Sequence, residues 1–141
     1  GLIRFSSSAH EEVPLGELAN TRERLRERID GFYAGGNTAL LDAVSLAYTK
    51  LHTLNDRDRI NAIVVMTDGQ ENNSRIGLGQ LLDQIEVGNK QGPPVVIFSI
   101  AYGKDADMGT LQRIADAAGG QARQGDLDTI RRLYQMLSAY F

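Results

Sequence analysis

Ile60-Asn61-Ala62-Ile63-Val64-Val65-Met66-Thr67-Asp68-Gly69 is the stretch that decides the architecture of this chain. Ile60 to Met66 is almost continuously apolar and rich in β-branched side chains. Such a run suits a strand buried on both faces of a parallel sheet, where no polar face needs to alternate with the apolar one. It ends in Thr67-Asp68-Gly69, where glycine permits a sharp exit from the strand. A second run of the same character, Val95 to Ala101 (VVIFSIA), predicts another buried strand. Between the two, Leu81, Leu82 and Ile85 recur at helical spacing, and Gly92-Pro93-Pro94 breaks that helix before the second strand begins.

The same alternation extends outward in both directions. Toward the start, Gly1 to Ser6 (GLIRFS) predicts a strand closed by Ser6-Ser7-Ser8. Val13 to Leu15 predicts a short second strand reached through a hairpin-like turn. Asn20, with Glu23 three residues on, has capping-box spacing for a helix carrying Leu18, Leu25, Ile29 and Phe32, with Gly31 as its stop. The Glu23–Arg26 and Arg24–Glu27 pairs suit its solvated side. The loop Ala34-Gly35-Gly36-Asn37 and Thr38 then lead into a helix with Leu40, Ala43, Val44, Ala47 and Leu51 on one side, and Asn55 to Arg59 form a turn. Toward the end, Asp107 caps a helix carrying Met108, Leu111, Ile114, Ala115 and Ala118, which Gly119-Gly120 stops. A short strand is expected around Ala122, and Asp126 caps a last helix with Ile130, Leu133, Tyr134 and Leu137. Buried strands separated by amphipathic helices predict an α/β fold: a doubly wound, mostly parallel sheet with helices on both faces.

Composition narrows the functions. A length of 141 residues predicts one domain. With 42% hydrophobic and 23% charged residues, the chain is expected to fold as a globule. Eighteen acids against fifteen bases, a net charge of −3, argue against a basic nucleic-acid-binding face. No apolar run approaches the ~20 residues that span a bilayer. There are no cysteines, which removes disulfides, thiolate metal sites and thiol catalysis, and His10 and His52 stand too far apart in sequence to suggest a zinc site. Neither a G-x-S-x-G elbow nor a phosphate-binding GxxxxGK[ST] loop occurs. The chain is therefore expected to be non-enzymatic.

Ligands of doubly wound sheets gather at the carboxyl ends of the strands. Ser6 to Ser8, Thr67-Asp68 and Tyr102-Gly103-Lys104-Asp105 occupy those ends, and the Gly35–Thr38 loop brings a hydroxyl to a helix N-terminus. Each has an ordinary reading: Asp68 as a turn former, Thr38 as a helix N-cap worth about 1 kcal/mol, Lys104 as a solvated loop residue. Together, a hydroxyl and a carboxylate at one sheet edge supply the oxygen donors that a hard divalent cation such as Mg²⁺ takes, leaving charge for a partner's carboxylate to neutralise. Asp68 with Lys104 also fits superficially a phosphoryl-accepting receiver domain, but such a domain needs an acidic pair after the first strand, and Ser6-Ser7-Ser8 is not acidic.

The order GLIRFSS, GGNTALLDA, INAIVVMTDGQEN and VVIFSIAYGKDAD, supported by LQRIADAAGG, resembles a von Willebrand factor type A domain over essentially the whole chain. The resemblance implies a Rossmann-like sheet with one short antiparallel edge strand, here Val13 to Leu15, and a role in protein–protein interaction or adhesion. It implies a metal-ion-dependent adhesion site that takes a Thr from the GGxT loop and an Asp from the TDG turn. Thr38 and Asp68 match those positions. The cation would be Mg²⁺, or Mn²⁺ or Ca²⁺, and the partner a protein presenting an acidic side chain. From their place in the fold, the loops Ser6–Ala9, Gln70–Ser74 and Tyr102–Asp105 are expected around that point, with Ser6, Ser7, Asn37, Gly69 and Gln70 as partner contacts.

The chain departs from the family pattern in having no Asp-x-Ser-x-Ser motif, which normally follows the family's first strand. Ser6-Ser7-Ser8 aligns instead with the end of the family's second strand. The expectation is a single domain over residues 1–141, N-terminally incomplete by one strand and one helix. The missing strand would lie between Gly1–Ser6 and Ile60–Met66. Another fragment would supply it, or the chain would close the gap by pairing its own strands or those of another copy, and the cation would bind weakly to this chain alone. A scaffold with the fold but without metal function is the alternative. The resemblance leans toward a bacterial extracellular or cell-envelope setting.

Overall fold

The structure is a computed structural model that describes residues 1–33, 35–125 and 135. Strand β1 (Leu2–Phe5) turns back through Ser6–Ser8 into β2 (Ala9–Val13), an antiparallel pair with Phe5 opposite Ala9 and Ile3 opposite Glu11. The Ser6 N–H donates to the Ser8 carbonyl at 3.1 Å and closes the turn. The second strand thus ends where Val13 to Leu15 was expected to begin one. Ala9-His10-Glu11-Glu12-Val13 is mostly polar, so an apolar run could not reveal it. Its cross-strand pairing does the work instead: Arg4 meets Glu12 at 2.9 Å. Pro14, which lacks an N–H, follows the last paired residue.

Helix α1 (Leu18–Asp30) also starts earlier than its capping-box spacing suggested. Glu17 is the N-cap residue, and Asn20 sits inside the first turn with its amide reaching back to the Glu17 carboxylate at 3.3 Å. The Thr21 hydroxyl donates to the Glu17 carbonyl, which competes with the cap geometry expected of Asn20. Gly31 ends the helix as expected, and no α1 residue is buried.

The remainder is a parallel α/β unit: α2 (Leu40–Leu54), β3 (Asn61–Thr67), α3 (Leu78–Gln91), β4 (Val95–Tyr102), α4 (Met108–Ala117) and β5 (Gln121–Gly125). β3, β4 and β5 are neighbours in that order, in parallel, with Ile63 opposite Ile97 and Ser99 opposite Ala122. Both crossovers step the same way along the sheet. Right-handed connections therefore put α3 and α4 on one face. Ile63, Val65, Ile97 and Ala101 from that face pack with Leu40 and Val44 of α2, Leu81 and Ile85 of α3, and Leu111 and Ile114 of α4. Asp107 caps α4 as expected, accepting from the Thr110 N–H at 3.0 Å and hydroxyl at 2.7 Å. Gly120 lets the chain leave α4 hard against β4, because a Cβ there would run into the Ile97 carbonyl. The helix expected from Asp126 onward lies outside the described residues.

The sheet is interrupted between β1 and β3. Among the described residues the strands form two separate ladders, β1–β2 and β3–β4–β5. The cavity of about 1060 Å³ between them is lined by both β1 and β3. The expectation that Ile60 to Met66 is covered on both faces holds for one face only. Ile63 and Val65 are buried, whereas Val64 and Met66 on the other face remain 44% and 38% exposed. Both strands nevertheless run toward the same loop. Past β1, the Ser6 carbonyl accepts from the Ala39 N–H, and past β3, Gly69 lies against Thr38.

The asymmetry is confined to β3, since Phe98 and Ile100 on that other face of β4 are buried, and it sets the cost of truncating buried and open positions. Ile97→Ala, fully buried, is expected to lower unfolding free energy by about 2–5 kcal/mol. Val64→Ala is expected to change it by about 0.5 kcal/mol or less. Urea titrations of the two variants provide the comparison, and equal losses would contradict the exposure of Val64 on β3.

Candidate functional site

The first N–H groups of an α-helix have no partners within the helix. At α2 the N-cap residue is Ala39, whose side chain cannot accept a hydrogen bond. The structure supplies acceptors from two other segments. The Ala39 N–H donates to the Ser6 carbonyl at 2.7 Å. The Leu41 N–H donates to Glu71 Oε2 at 3.0 Å, and the Asp42 N–H donates to Ser74 Oγ at 3.1 Å. The cap is reciprocal, because Asp42 Oδ1 accepts from the Arg75 and Ile76 N–H groups at 3.1 and 3.3 Å. Thr38 is therefore not the N-cap that its position after Gly-Gly suggested. Among the described residues its hydroxyl neither caps α2 nor engages another partner.

Glu71 organises the capping segment. Its Oε1 accepts from the Asn73 and Ser74 N–H groups at 2.9 and 2.7 Å, and its Oε2 accepts from the Ser74 hydroxyl at 2.8 Å. Partial burial pushes the Glu71 carboxyl up, but the hydrogen bonds from Leu41, Ser74 and Asn73 outweigh it and hold the group below its ordinary value. Asp42 follows the same pattern, with burial opposed and outweighed by bonds from Arg75 and Ile76. Asn72 and Asn73 in turn grip Thr38 by its backbone. The Thr38 N–H donates to Asn72 Oδ1 at 2.9 Å, and the Thr38 carbonyl accepts from the Asn72 and Asn73 N–H groups at 3.1 and 3.2 Å.

Thr38 and the Asp68 turn are brought together. A Cβ at Gly69 would stand only 2.9 Å from Thr38 Oγ1, so glycine is what allows the hydroxyl to lie against the turn. The Gly69 N–H donates to the Thr67 hydroxyl at 3.3 Å and tightens that turn. Asp68 is exposed, with no hydrogen bond or ion pair among the described residues. Ser6 and Ser7 lie on the other side of the loop. The Ser7 hydroxyl accepts from the Asn37 N–H at 3.3 Å, and the Ser7 carbonyl accepts from Asn73 Nδ2 at 2.6 Å. Asn37 donates through its amide to Asn73 Oδ1 at 3.1 Å. Of the expected partner contacts, Ser6, Ser7 and Asn37 are thus tied into the scaffold, Gly69 packs on Thr38, and Gln70 faces solvent. Lys104 is exposed in the loop after β4 and forms no ion pair with Asp68, so the receiver-like pair is not assembled.

Sequence reasoning missed the roles of Glu71, Asn72, Asn73, Ser74 and Asp42. The polar run after Gly69 marked a loop, but nothing local showed that its acceptors serve a helix some thirty positions away in sequence, as Glu71 serves Leu41. What the arrangement offers, among the described residues, is the unengaged Thr38 hydroxyl beside the unengaged Asp68 carboxylate at the sheet edge. No group of three or more His, Cys, Asp or Glu side chains is placed to hold a metal among the described residues.

Two outcomes follow from this geometry. Gly69→Ala should push the Thr38 hydroxyl out of its place while leaving the helices intact, seen as a changed Thr38 χ1 coupling with an unchanged circular dichroism spectrum. Glu71 has a lowered folded value, so its contribution to stability is present above its ordinary value of 4.5 and is lost as pH falls through the folded value. Glu71→Gln should therefore be less stable than the parent at neutral pH, with the difference shrinking as the pH falls below that ordinary value. A gap that is constant with pH in urea unfolding would contradict this.

The comparisons with known proteins agree with the architecture. Among solved structures, a von Willebrand factor type A protein from Catenulispora acidiphila superposes with a TM-score of 0.78 at 19% identity, over 97% of this chain and 32% of that one. The conserved hypothetical protein BatB from Bacteroides thetaiotaomicron superposes with a TM-score of 0.69 at 17% identity, over 97% of this chain and 76% of that one. Proximal thread matrix protein 1 of the mussel byssus, solved with a zinc-occupied MIDAS motif, gives a TM-score of 0.69 at 19% identity, over 94% of this chain and 32% of that one. This chain thus spans about a third of the length of the first and third of these. No curated protein matches it. The von Willebrand factor type A family pattern matches residues 1–132. With that match over nearly its whole length, the chain belongs to the von Willebrand factor type A domain family.

Proposed function

We propose that this domain is a non-catalytic protein-interaction module in which Thr38 and Asp68 hold a divalent cation for an acidic side chain of the partner. The observation that carries the reading is the unengaged Thr38 hydroxyl held beside the Asp68 turn, at the edge where β1 and β3 both end. The family supports a protein-binding role. The zinc-occupied site of the mussel protein supports a divalent cation at the corresponding edge of this fold.

The donor set fits a hard cation. Both groups are oxygen donors, and neither is engaged by another of the described residues. A cation there would supply a positive centre able to accept a partner carboxylate. Asp68 would neutralise part of its charge, and Thr38 would orient it without adding any. Mg²⁺ prefers about six oxygens and keeps several waters, so two protein oxygens predict weak binding, with a dissociation constant above about 0.1 mM. Gln70, exposed beside the turn, is the residue best placed to touch the partner directly.

Titration of Mg²⁺ followed by amide shifts tests the reading. Shifts should cluster at Thr38, Asp68 and Gly69, and Asp68→Asn and Thr38→Val should each weaken them at unchanged thermal stability. Shifts that persist unchanged in both variants would overturn the assignment, as would none at any concentration. Sub-micromolar affinity would show that further ligands are present.

A further inference from the structure

We propose that Glu71 and Asn72 are positioning residues for Thr38. Glu71 takes a share of the capping of α2 and Asn72 the orientation of Thr38, and together they leave the Thr38 hydroxyl free for a ligand. The inference rests on the reading of Thr38 and Asp68 as cation donors. It adds residues that the donor positions alone do not identify.

A threonine just ahead of a helix is normally drawn into the cap, its oxygen spent on one of the orphan N–H groups. Here three of those groups are already satisfied. Glu71 takes the Leu41 N–H, Ser74 takes the Asp42 N–H, and the Ser6 carbonyl takes the Ala39 N–H. What remains is to fix where the hydroxyl points. Asn72 does so by bonding both sides of the Thr38 backbone, its side-chain carbonyl accepting from the Thr38 N–H and its own N–H donating to the Thr38 carbonyl. Glu71 holds Asn72 in place, because its carboxylate binds the N–H groups of Asn73 and Ser74 that follow. The link from Glu71 to the hydroxyl is therefore a chain of short contacts within one loop. It is fastened at its far end by Asp42 to Arg75 and Ile76.

A residue that only stabilised the fold would not alter the conformation of one threonine side chain. The test therefore uses the Thr38 χ1 couplings and the Thr38 amide exchange rate in the metal-free protein, together with Mg²⁺ affinity. In Glu71→Gln and Asn72→Ala, the couplings should average over rotamers and Thr38 amide exchange should accelerate. Mg²⁺ affinity should fall by roughly tenfold or more, the usual consequence of removing a group that orients a metal donor. Ile114→Val, a core variant of α4, serves as the control for destabilisation. It should leave both Thr38 readouts unchanged. A single, unaltered Thr38 rotamer in both loop variants would overturn the proposal, and so would a control that loosens Thr38 as much. If the rotamer loosens while the parent protein shows no Mg²⁺ response, the cation reading fails and the positioning of Thr38 stands. Should Glu71→Gln fail to fold, Asn72→Ala decides the matter, because Asn72 caps no helix.

Discussion

Helix α2 begins with N–H groups that its own N-cap residue cannot satisfy, and a buried helix end cannot leave them unpaired. That requirement ties together three segments distant in sequence. The turn after β1 provides the Ser6 carbonyl, and the loop after β3 provides the Glu71 carboxylate and the Ser74 hydroxyl. α2 sends its own Asp42 back to that loop. The capping arrangement is spread over tertiary structure, and the carboxyl edge of the sheet is assembled as a consequence. Thr38 is gripped from one side and Gly69 closes on it from the other.

The sheet gives that edge its direction. β3 and β4 run in register from Asn61 opposite Val95 to Thr67 opposite Ala101, so their exits lie side by side. Beneath that edge, three helices cover Ile63, Val65, Ile97 and Ala101 on one face, while Phe98 and Ile100 are buried on the other face of β4. On the other side of β3 the architecture is open. β1 ends at the same loop but shares no ladder with β3, and the apolar side chains of Val64 and Met66 border the cavity between them. An edge strand of this kind offers unpaired backbone groups as well as apolar surface. The candidate site stands on β3–β4 and α2, and the β1–β2 pair is joined to them through the Ser6 and Ser7 contacts, the Glu11–Lys50 ion pair and the packing of Phe5 on the core.

Electrostatics at the edge separates two kinds of carboxylate. Glu71 and Asp42 are surrounded by N–H donors and are held ionised by them, which commits them to structure. Asp68 lies one turn away with no such donors and is exposed. Its charge is unspent within the described residues, and so is the hydroxyl of Thr38. The engaged acids build the frame, and the exposed Asp68 stands beside them.

The sequence by itself determined the α/β class, the two parallel strands at Ile60–Met66 and Val95–Ala101, and the Asp107 cap. Those features are local: unbroken β-branched runs, glycine exits and a capping aspartate act over a few residues. The tertiary structure alone decided the rest. β2 lies in a polar stretch that only cross-strand pairing with β1 makes a strand. α1 begins at Glu17 because backbone and hydroxyl donors of Asn20 and Thr21 converge on its carbonyl, against the spacing that favoured Asn20. Val64 and Met66 are as apolar as their neighbours, and their exposure depends on what packs beside β3. Above all, the freedom of the Thr38 hydroxyl depends on Glu71 and Ser74 reaching a helix some thirty positions away in sequence. A hydrogen bond between distant segments is set by the folded path of the chain, and it leaves no periodic trace in the residues that make it.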